Sequence, residues 1–300
     1  MGLEMRMPFE PGTFFEAVRE RSARAERRGA LLSIPTSFEL IEDSETGVEF
    51  LVRISLQQER KHEARREQPR TGVNPFLPYD PDLFVADISE THVCLLNKFN
   101  VLDHHLLIVT RDFEDQESLL TLDDFEALWL CMAEGEGLGF YNAGIDAGAS
   151  QPHKHLQLVS VPVGAGPERT PIEPLLATAG FDGPLGTVES LPFVHTVARL
   201  GERSSPGSRG AAAAALAMYR AMLQRVGIDA QEPRPYNLLV TRDWMFLLPR
   251  TQGFFRSIEV NALGFAGALL VRDREQLAFL RREGPMTLLR GVTSARGGRN

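Results

Sequence analysis

The stretch His153-Lys154-His155-Leu156-Gln157-Leu158-Val159-Ser160-Val161 constrains the fold more than any other part of the chain. Leu156, Leu158 and Ser160 alternate with His153, His155 and Gln157, which is the period of a β-strand. Side chains two apart on a strand share a face. Two imidazoles and an amide therefore project together from a rigid sheet. Just before them runs Gly148-Ala149-Ser150-Gln151-Pro152, a small-residue loop whose backbone N–H groups can form an anion-binding concavity. A nucleophilic base beside an anion cradle points to phosphoryl or nucleotidyl chemistry. The same His-x-His spacing also suits two zinc ligands on one strand, with His104 or His105 as a third. That alternative explains neither Gln157 nor the glycines.

The rest of the chain reads as strands joined by hairpins, with a few helices. Thr13 to Gly29 predicts an amphipathic helix stopped by Gly29. Phe38 to Ile41 and Val48 to Ile54 predict a hairpin, and Gln57 to Val73 a polar loop. Strands are expected at Leu83 to Ile88, Thr91 to Asn97, His105 to Thr110, Gly139 to Ala143 and His153 to Val161. Thr121 to Asp124 opens a helix with an acidic capping signal. Pro162 to Gly186, rich in proline and glycine, predicts a connector with one short helix near Pro174 to Ala179. Beyond it come a strand over Val188 to Leu200, a flexible loop over Gly201 to Gly210 and a helix over Ala211 to Val226. A hairpin follows at Tyr236 to Thr241 and Met245 to Pro249, then a strand at Phe265 to Val271 and a helix at Arg274 to Arg282. Disorder is expected after Gly291, and no internal repeat is visible. The pattern predicts an α+β fold with a mainly antiparallel sheet flanked by helices. A boundary near residue 175 divides it into parts 1–175 and 176–300, packed as one body.

Composition excludes several classes. With 43% hydrophobic and 24% charged residues among 300, this is an ordinary globular chain. No run of 18 apolar residues suggests a spanning helix, and Met1 to Glu20 lacks the apolar core of a secretory signal. Cys94 and Cys131 sit in apolar contexts, as expected of buried thiols in a reducing, cytoplasmic setting. A net charge of −8 argues against binding a nucleic-acid polymer, but not against a small polyanion met by local positive charge. One basic cluster, Arg60, Lys61, Arg65, Arg66 and Arg70, is placed to reach a phosphate or to form a solvated face.

Asn142-Ala-Gly-Ile-Asp-Ala-Gly-Ala-Ser-Gln-Pro-His-Lys-His-Leu-Gln157 resembles the histidine-triad superfamily, in the branch where glutamine replaces the third histidine. Within that branch it is most similar to the diadenosine tetraphosphate phosphorylases, also called ATP adenylyltransferases. Asn74-Pro75-Phe76, Leu95 to Asn100, His105 to Thr110, Pro235 to Leu239 and Asn261 to Gly267 extend the likeness over roughly residues 35 to 275.

The resemblance implies a histidine-triad-like fold with an elaborated C-terminal part. It implies phosphorolysis of diadenosine tetraphosphate by phosphate, reversibly, to ADP and ATP. The middle motif position, His155, would form the covalent nucleotidyl intermediate, and His153 would brace it. A neutral imidazole suits that role near pH 7. Gln157 can hydrogen-bond an oxygen but cannot act as a general acid, which suffices when ATP leaves as a stable anion. Gly148, Ala149, Ser150 and Gln151 would offer N–H groups and a hydroxyl to the polyphosphate. Asn142, Asn97 and Lys98 are further substrate candidates, and Lys61 matches the family's upstream lysine loosely. Asn261, Ala262 and Leu263 align with a substrate-contacting segment. Where the family has methionine and lysine further on, this chain has Ala268 and Arg272. A divalent cation, magnesium, would accompany the nucleotide, with no protein metal cluster and no organic cofactor. The alternatives are a related transferase using sulfate or another nucleotide donor, and a dinucleotide-sensing protein with a spent site.

Overall fold

The computed structural model describes residues 10, 12–55, 74–201 and 209–296. The basic cluster from Arg60 to Arg70, including Lys61, lies outside the described residues. So does the whole of the expected loop between residues 57 and 73.

The chain opens with helix α1 (Phe14–Arg28), closed by Gly29 in the left-handed region at φ 71°. Strands β1 (Ser37–Glu42) and β2 (Glu49–Ile54) form the expected hairpin. Then come β3 (Phe84–Asp87), β4 (His92–Leu96), β5 (Leu106–Thr110), helix α2 (Leu122–Ala133), β6 (Gly137–Ala143) and β7 (His155–Ser160). Thr121 and Asp124 cap α2 reciprocally, as the sequence predicts.

The second half repeats this plan. Helix α3 (Glu173–Leu176) leads to β8 (Gly180–Asp182), β9 (Leu185–Thr187), β10 (Thr196–Arg199), helix α4 (Arg209–Arg225), β11 (Tyr236–Val240) and β12 (Trp244–Pro249). A short hairpin, β13 (Phe254–Phe255) and β14 (Ile258–Glu259), precedes helix α5 (Ala262–Ala266), β15 (Ala268–Val271), α6 (Arg274–Glu283) and α7 (Pro285–Arg290).

Ten strands form one antiparallel sheet in the order β3-β4-β5-β7-β6-β11-β12-β10-β9-β8. Read outward from the central β6–β11 pair, both halves have the same order, and each places its helix before the central strand. The molecule therefore contains an internal repeat that the sequence does not display: topology persists where side chains have diverged. A second sheet, β1-β2-β15, adds β15 parallel to β2.

Three expectations change. Only the end of Val188 to Leu200 is strand, because Pro192 lacks a donor and His195 turns inward to bond backbone. Phe265 lies in α5, capped by Asn261 and stopped by Gly267 at φ 97°, so the strand begins at Ala268. Residues 292–296 are ordered: Val292 is fully buried, Thr293 bridges Arg250, and Ala295 bridges Phe193.

The alternation of β7 divides the core. Leu156 and Leu158 face α1, α2 and α4 in one apolar cluster. His155 and Gln157 face the other side. There they lie between the cluster of Phe76, Leu107 and Val109 and the cluster containing Phe140 and Val159. Their cross-strand partners on β5 are Val109 and Leu107. Among the described residues no helix is long and apolar enough to cross a membrane.

Candidate active site

His155 is the first residue of β7 and is 3% exposed. Its Nδ1–H donates to the carbonyl of His153 at 2.8 Å. That bond fixes the tautomer and leaves the Nε2 lone pair without a partner among the described residues. Burial lowers its pKa to about 4, against the opposing backbone hydrogen bond, so the ring is neutral at physiological pH. The backbone on either side is held by Gln116. Its Oε1 accepts the His155 N–H at 2.8 Å, and its Nε2 donates to the carbonyls of Asn142 and His155.

His153 precedes the strand, at an isolated bridge to Asp115. Its Nε2–H donates to the Thr110 carbonyl at 2.8 Å, and its Nδ1 accepts from Asn74 Nδ2 at 2.7 Å. Both ring nitrogens are spent, which suits a brace and leaves no lone pair for zinc. Phe76 sits about equally close to both imidazoles, with ring centroids 5.5 Å and 5.4 Å away.

Gln157 Oε1 accepts from His105 Nε2 at 2.8 Å, and Asn97 Nδ2 donates to His105 Nδ1 at 3.3 Å. The amide of Gln157 is thereby oriented with its NH2 donors away from His105. Asn97 acts here through His105, and its Oδ1 accepts from the Phe99 N–H. Lys98 stands at the end of β4 with its ammonium 5.8 Å from the Phe99 ring.

The anion loop departs from the expectation. The Gly148 and Ala149 N–H groups are consumed in closing the short turn over Ile145–Ala147, donating to the carbonyls of Ile145 and Gly144. The N–H groups of Ser150 and Gln151 and the Ser150 hydroxyl have no partner among the described residues. These are the groups left to meet an anion. Gly148, at φ 89°, is required because a Cβ there would lie 2.6 Å from the Val260 carbonyl.

Asn142, too, is more scaffold than surface. It is 1% exposed, and its Oδ1 accepts from Asn237 Nδ2 and the Ala262 N–H, leaving only its Nδ2 for a ligand. Ala262 is fully buried with its N–H spent in that bond, and Asn261 accepts from the Leu263 N–H as the cap of α5. Arg272 follows β15 and donates to the Ser257 carbonyl.

Four supporting residues escape sequence reasoning. Asn74, from a loop, and Thr110, at the end of β5, bond the His153 ring, and Gln116 holds the His155 backbone from a loop. The fourth is Arg250, 4% exposed, which donates to the carbonyls of Ala147, Gln252, Val260 and Val292 and to Asn237 Oδ1. Lys154 had a visible signal: strand alternation sends it through the opposite face. There it is fully buried, 2.7 Å from Asp124 and 3.0 Å from Glu114. Burial raises the pKa of Asp124, but the His92 hydrogen bond and the Lys154 charge outweigh it, so the carboxylate is held below its usual range. The capping residue of α2 thus pins the motif strand from behind.

Known proteins resemble this chain over nearly its whole length. The sequence model of the Ap4A phosphorylase N-terminal domain matches residues 4–178, and that of the ATP adenylyltransferase C-terminal domain matches residues 189–295. Diadenosine 5',5'''-P1,P4-tetraphosphate phosphorylase 2 of Saccharomyces cerevisiae is 28% identical, over 87% of this chain and 88% of its own length. Protein APA1 of the same yeast is 26% identical, over 88% of each chain. The crystal structure of yeast Ap4A phosphorylase Apa2 with AMP has the same fold. Its TM-score is 0.79 at 24% identity, covering 97% of this chain and 99% of that one. The Ap4A complex of Apa2 gives 0.77 at 23% identity, covering 96% and 99%.

Proposed function

This chain belongs to the Ap4A phosphorylase family, and from that premise we propose that it phosphorolyses diadenosine tetraphosphate through a nucleotidyl-His155 intermediate. His155 Nε2 attacks the phosphorus next to one adenosine. The bond from that phosphorus to the bridging oxygen breaks, and ATP leaves with the electron pair. A phosphate oxygen then attacks the same phosphorus, the P–N bond breaks, and ADP is released with His155 neutral again. The reverse sequence makes diadenosine tetraphosphate from ATP and ADP.

The observation that carries this reading is the free Nε2 lone pair of a neutral, buried imidazole, two strand positions from an oriented amide. Gln157 donates to phosphoryl oxygens without supplying a proton, which ATP as a leaving group does not need. Ser150 and Gln151 offer N–H groups to the polyphosphate. The name of one yeast relative and the AMP and Ap4A bound to Apa2 support an adenine dinucleotide as substrate. Magnesium enters with the nucleotide, as the counter-ion of its polyphosphate oxygens. Two buried free thiols, Cys94 and Cys131, suit a cytoplasmic setting.

The test is brief exposure to diadenosine tetraphosphate without phosphate. One adenylyl group, acid-labile and base-stable, is expected on His155, and adding phosphate releases ADP. Peptide mapping that puts the label on His153, a serine or a lysine sinks the mechanism. Release by sulfate in preference to phosphate reassigns the acceptor.

A further inference from the structure

Arg250 carries a charge that its surroundings leave uncompensated, and we infer that the polyphosphate chain of the bound nucleotide is its counter-ion. The inference rests on the anion site described above and assigns it a second, buried component. A guanidinium has five N–H donors, and here all five meet neutral oxygens at 2.5–3.2 Å: four backbone carbonyls and the Asn237 amide. Among the described residues no carboxylate reaches it within ion-pair distance. Asp146, exposed, acts on it only through space. Its other face meets the Phe265 ring, 5.3 Å away.

Complete hydrogen bonding explains how a cation is tolerated at 4% exposure. It does not explain why a cation is there. Burying a charge without a counter-ion is costly, and neutral donors could bridge carbonyls more cheaply. The placement supplies the reason. Two of the five acceptors, Ala147 O and Val260 O, flank Gly148, where the anion loop presses on the Val260–Asn261 backbone. The charge therefore sits one hydrogen bond from Ala147, three residues before Ser150, the first loop residue with an unspent N–H. In a buried site such a charge is little screened by salt. Arg250 is a positioning residue for the loop and a fixed source of positive potential for the anion it cradles.

The two roles separate by ligand charge. Binding of adenosine, AMP and ATP to the full chain is measured by calorimetry for the parent, Arg250→Lys and Arg250→Gln. Arg250→Gln is expected to weaken ATP at least tenfold and AMP less, with adenosine within twofold. Arg250→Lys is expected to keep ATP within about threefold near pH 7. A buried lysine loses its proton far more readily than arginine. The ATP affinity of Arg250→Lys should therefore fall as pH rises from 7 to 8, with its adenosine affinity flat and the parent unchanged, since burial lowers the parent's guanidinium pKa only to about 9. That comparison decides the matter even where Arg250→Gln does not fold. Equal losses for all three ligands, or a pH-independent ATP affinity in Arg250→Lys, would overturn the inference. A parent that binds ATP but does not phosphorolyse diadenosine tetraphosphate defeats the catalytic reading and leaves this one standing. A parent that binds no ATP defeats both.

Discussion

Two buried histidines of this protein differ in one atom's surroundings. His155 and His195 each donate Nδ1–H to a carbonyl two residues back, at 2.8 Å. Each has its pKa pushed down to about 4, chiefly by burial. They are 3% and 4% exposed. Yet the Nε2 of His195 accepts the Val188 N–H at 2.9 Å, while the Nε2 of His155 has no partner among the described residues. Burial, tautomer and acidity are therefore shared by the proposed nucleophile and a structural post. What separates them is whether a backbone donor occupies the lone pair. A lowered histidine pKa alone would have picked both.

The comparison breaks most directly at His155. His155→Ala should lower kcat by ~10⁴ or more, with the fold intact by circular dichroism. Residual turnover near the parental rate would make the two histidines equivalent after all. Gln116 comes next, because its one amide bonds both the N–H and the carbonyl of His155. Gln116→Leu should slow single-turnover adenylylation about 100-fold, since a displacement of about 1 Å costs that much in oriented chemistry. An unchanged single-turnover rate in a folded variant would show that β7 holds His155 unaided.

His195→Leu should leave kcat and KM at parental values and destabilise the protein by about 1–3 kcal/mol, because the buried Val188 N–H loses its acceptor. Loss of activity at full stability would refute the assignment of His195 as a post.

The smallest effect expected is an absence. A histidine whose folded pKa is depressed binds fewer protons folded than unfolded between about pH 4 and 6.5. Its stabilising contribution is thus complete above 6.5 and is lost as pH falls towards 4. Thermal melts should show acid destabilisation across that window, and His195→Leu should flatten part of it. Over the same window adenylylation should show no ionisation of His155 above about pH 5. An acid limb near 6.5 in the adenylylation rate, present equally in His195→Leu, would mean that His155 titrates as an exposed imidazole.

What the sequence displayed was local. Strand alternation exposed His153, His155 and Gln157, and Thr121 with Asp124 announced α2 within four residues. The hairpin of β11 and β12 was equally plain. What stayed hidden was set by contacts across the chain. Gln116 reaches residue 155, Arg250 reaches Ala147 and Val292, and Asn237 reaches Asn142, and none of these pairings leaves a periodic trace. The loop shows the same limit on a smaller scale. Residue types marked Gly148 to Gln151 as an anion loop, but only the turn's own hydrogen bonds decide that Gly148 and Ala149 are spent and Ser150 and Gln151 are not. Gly267 was a legible stop that a strand drawn straight from Phe265 to Val271 ran through.

The hydrogen bond from Arg250 to the Val292 carbonyl also has a consequence in time. Synthesis proceeds from the N-terminus at about 5–20 residues per second, and domains condense as their parts emerge. The motif and its loop are complete by residue 157, yet the clamp that shapes the loop waits for residue 292. During the intervening seconds the nascent chain holds His155 without the loop geometry that Arg250 sets. Competence therefore comes last, and a chain stalled before Val292 should carry no adenylyl label even when ATP is abundant.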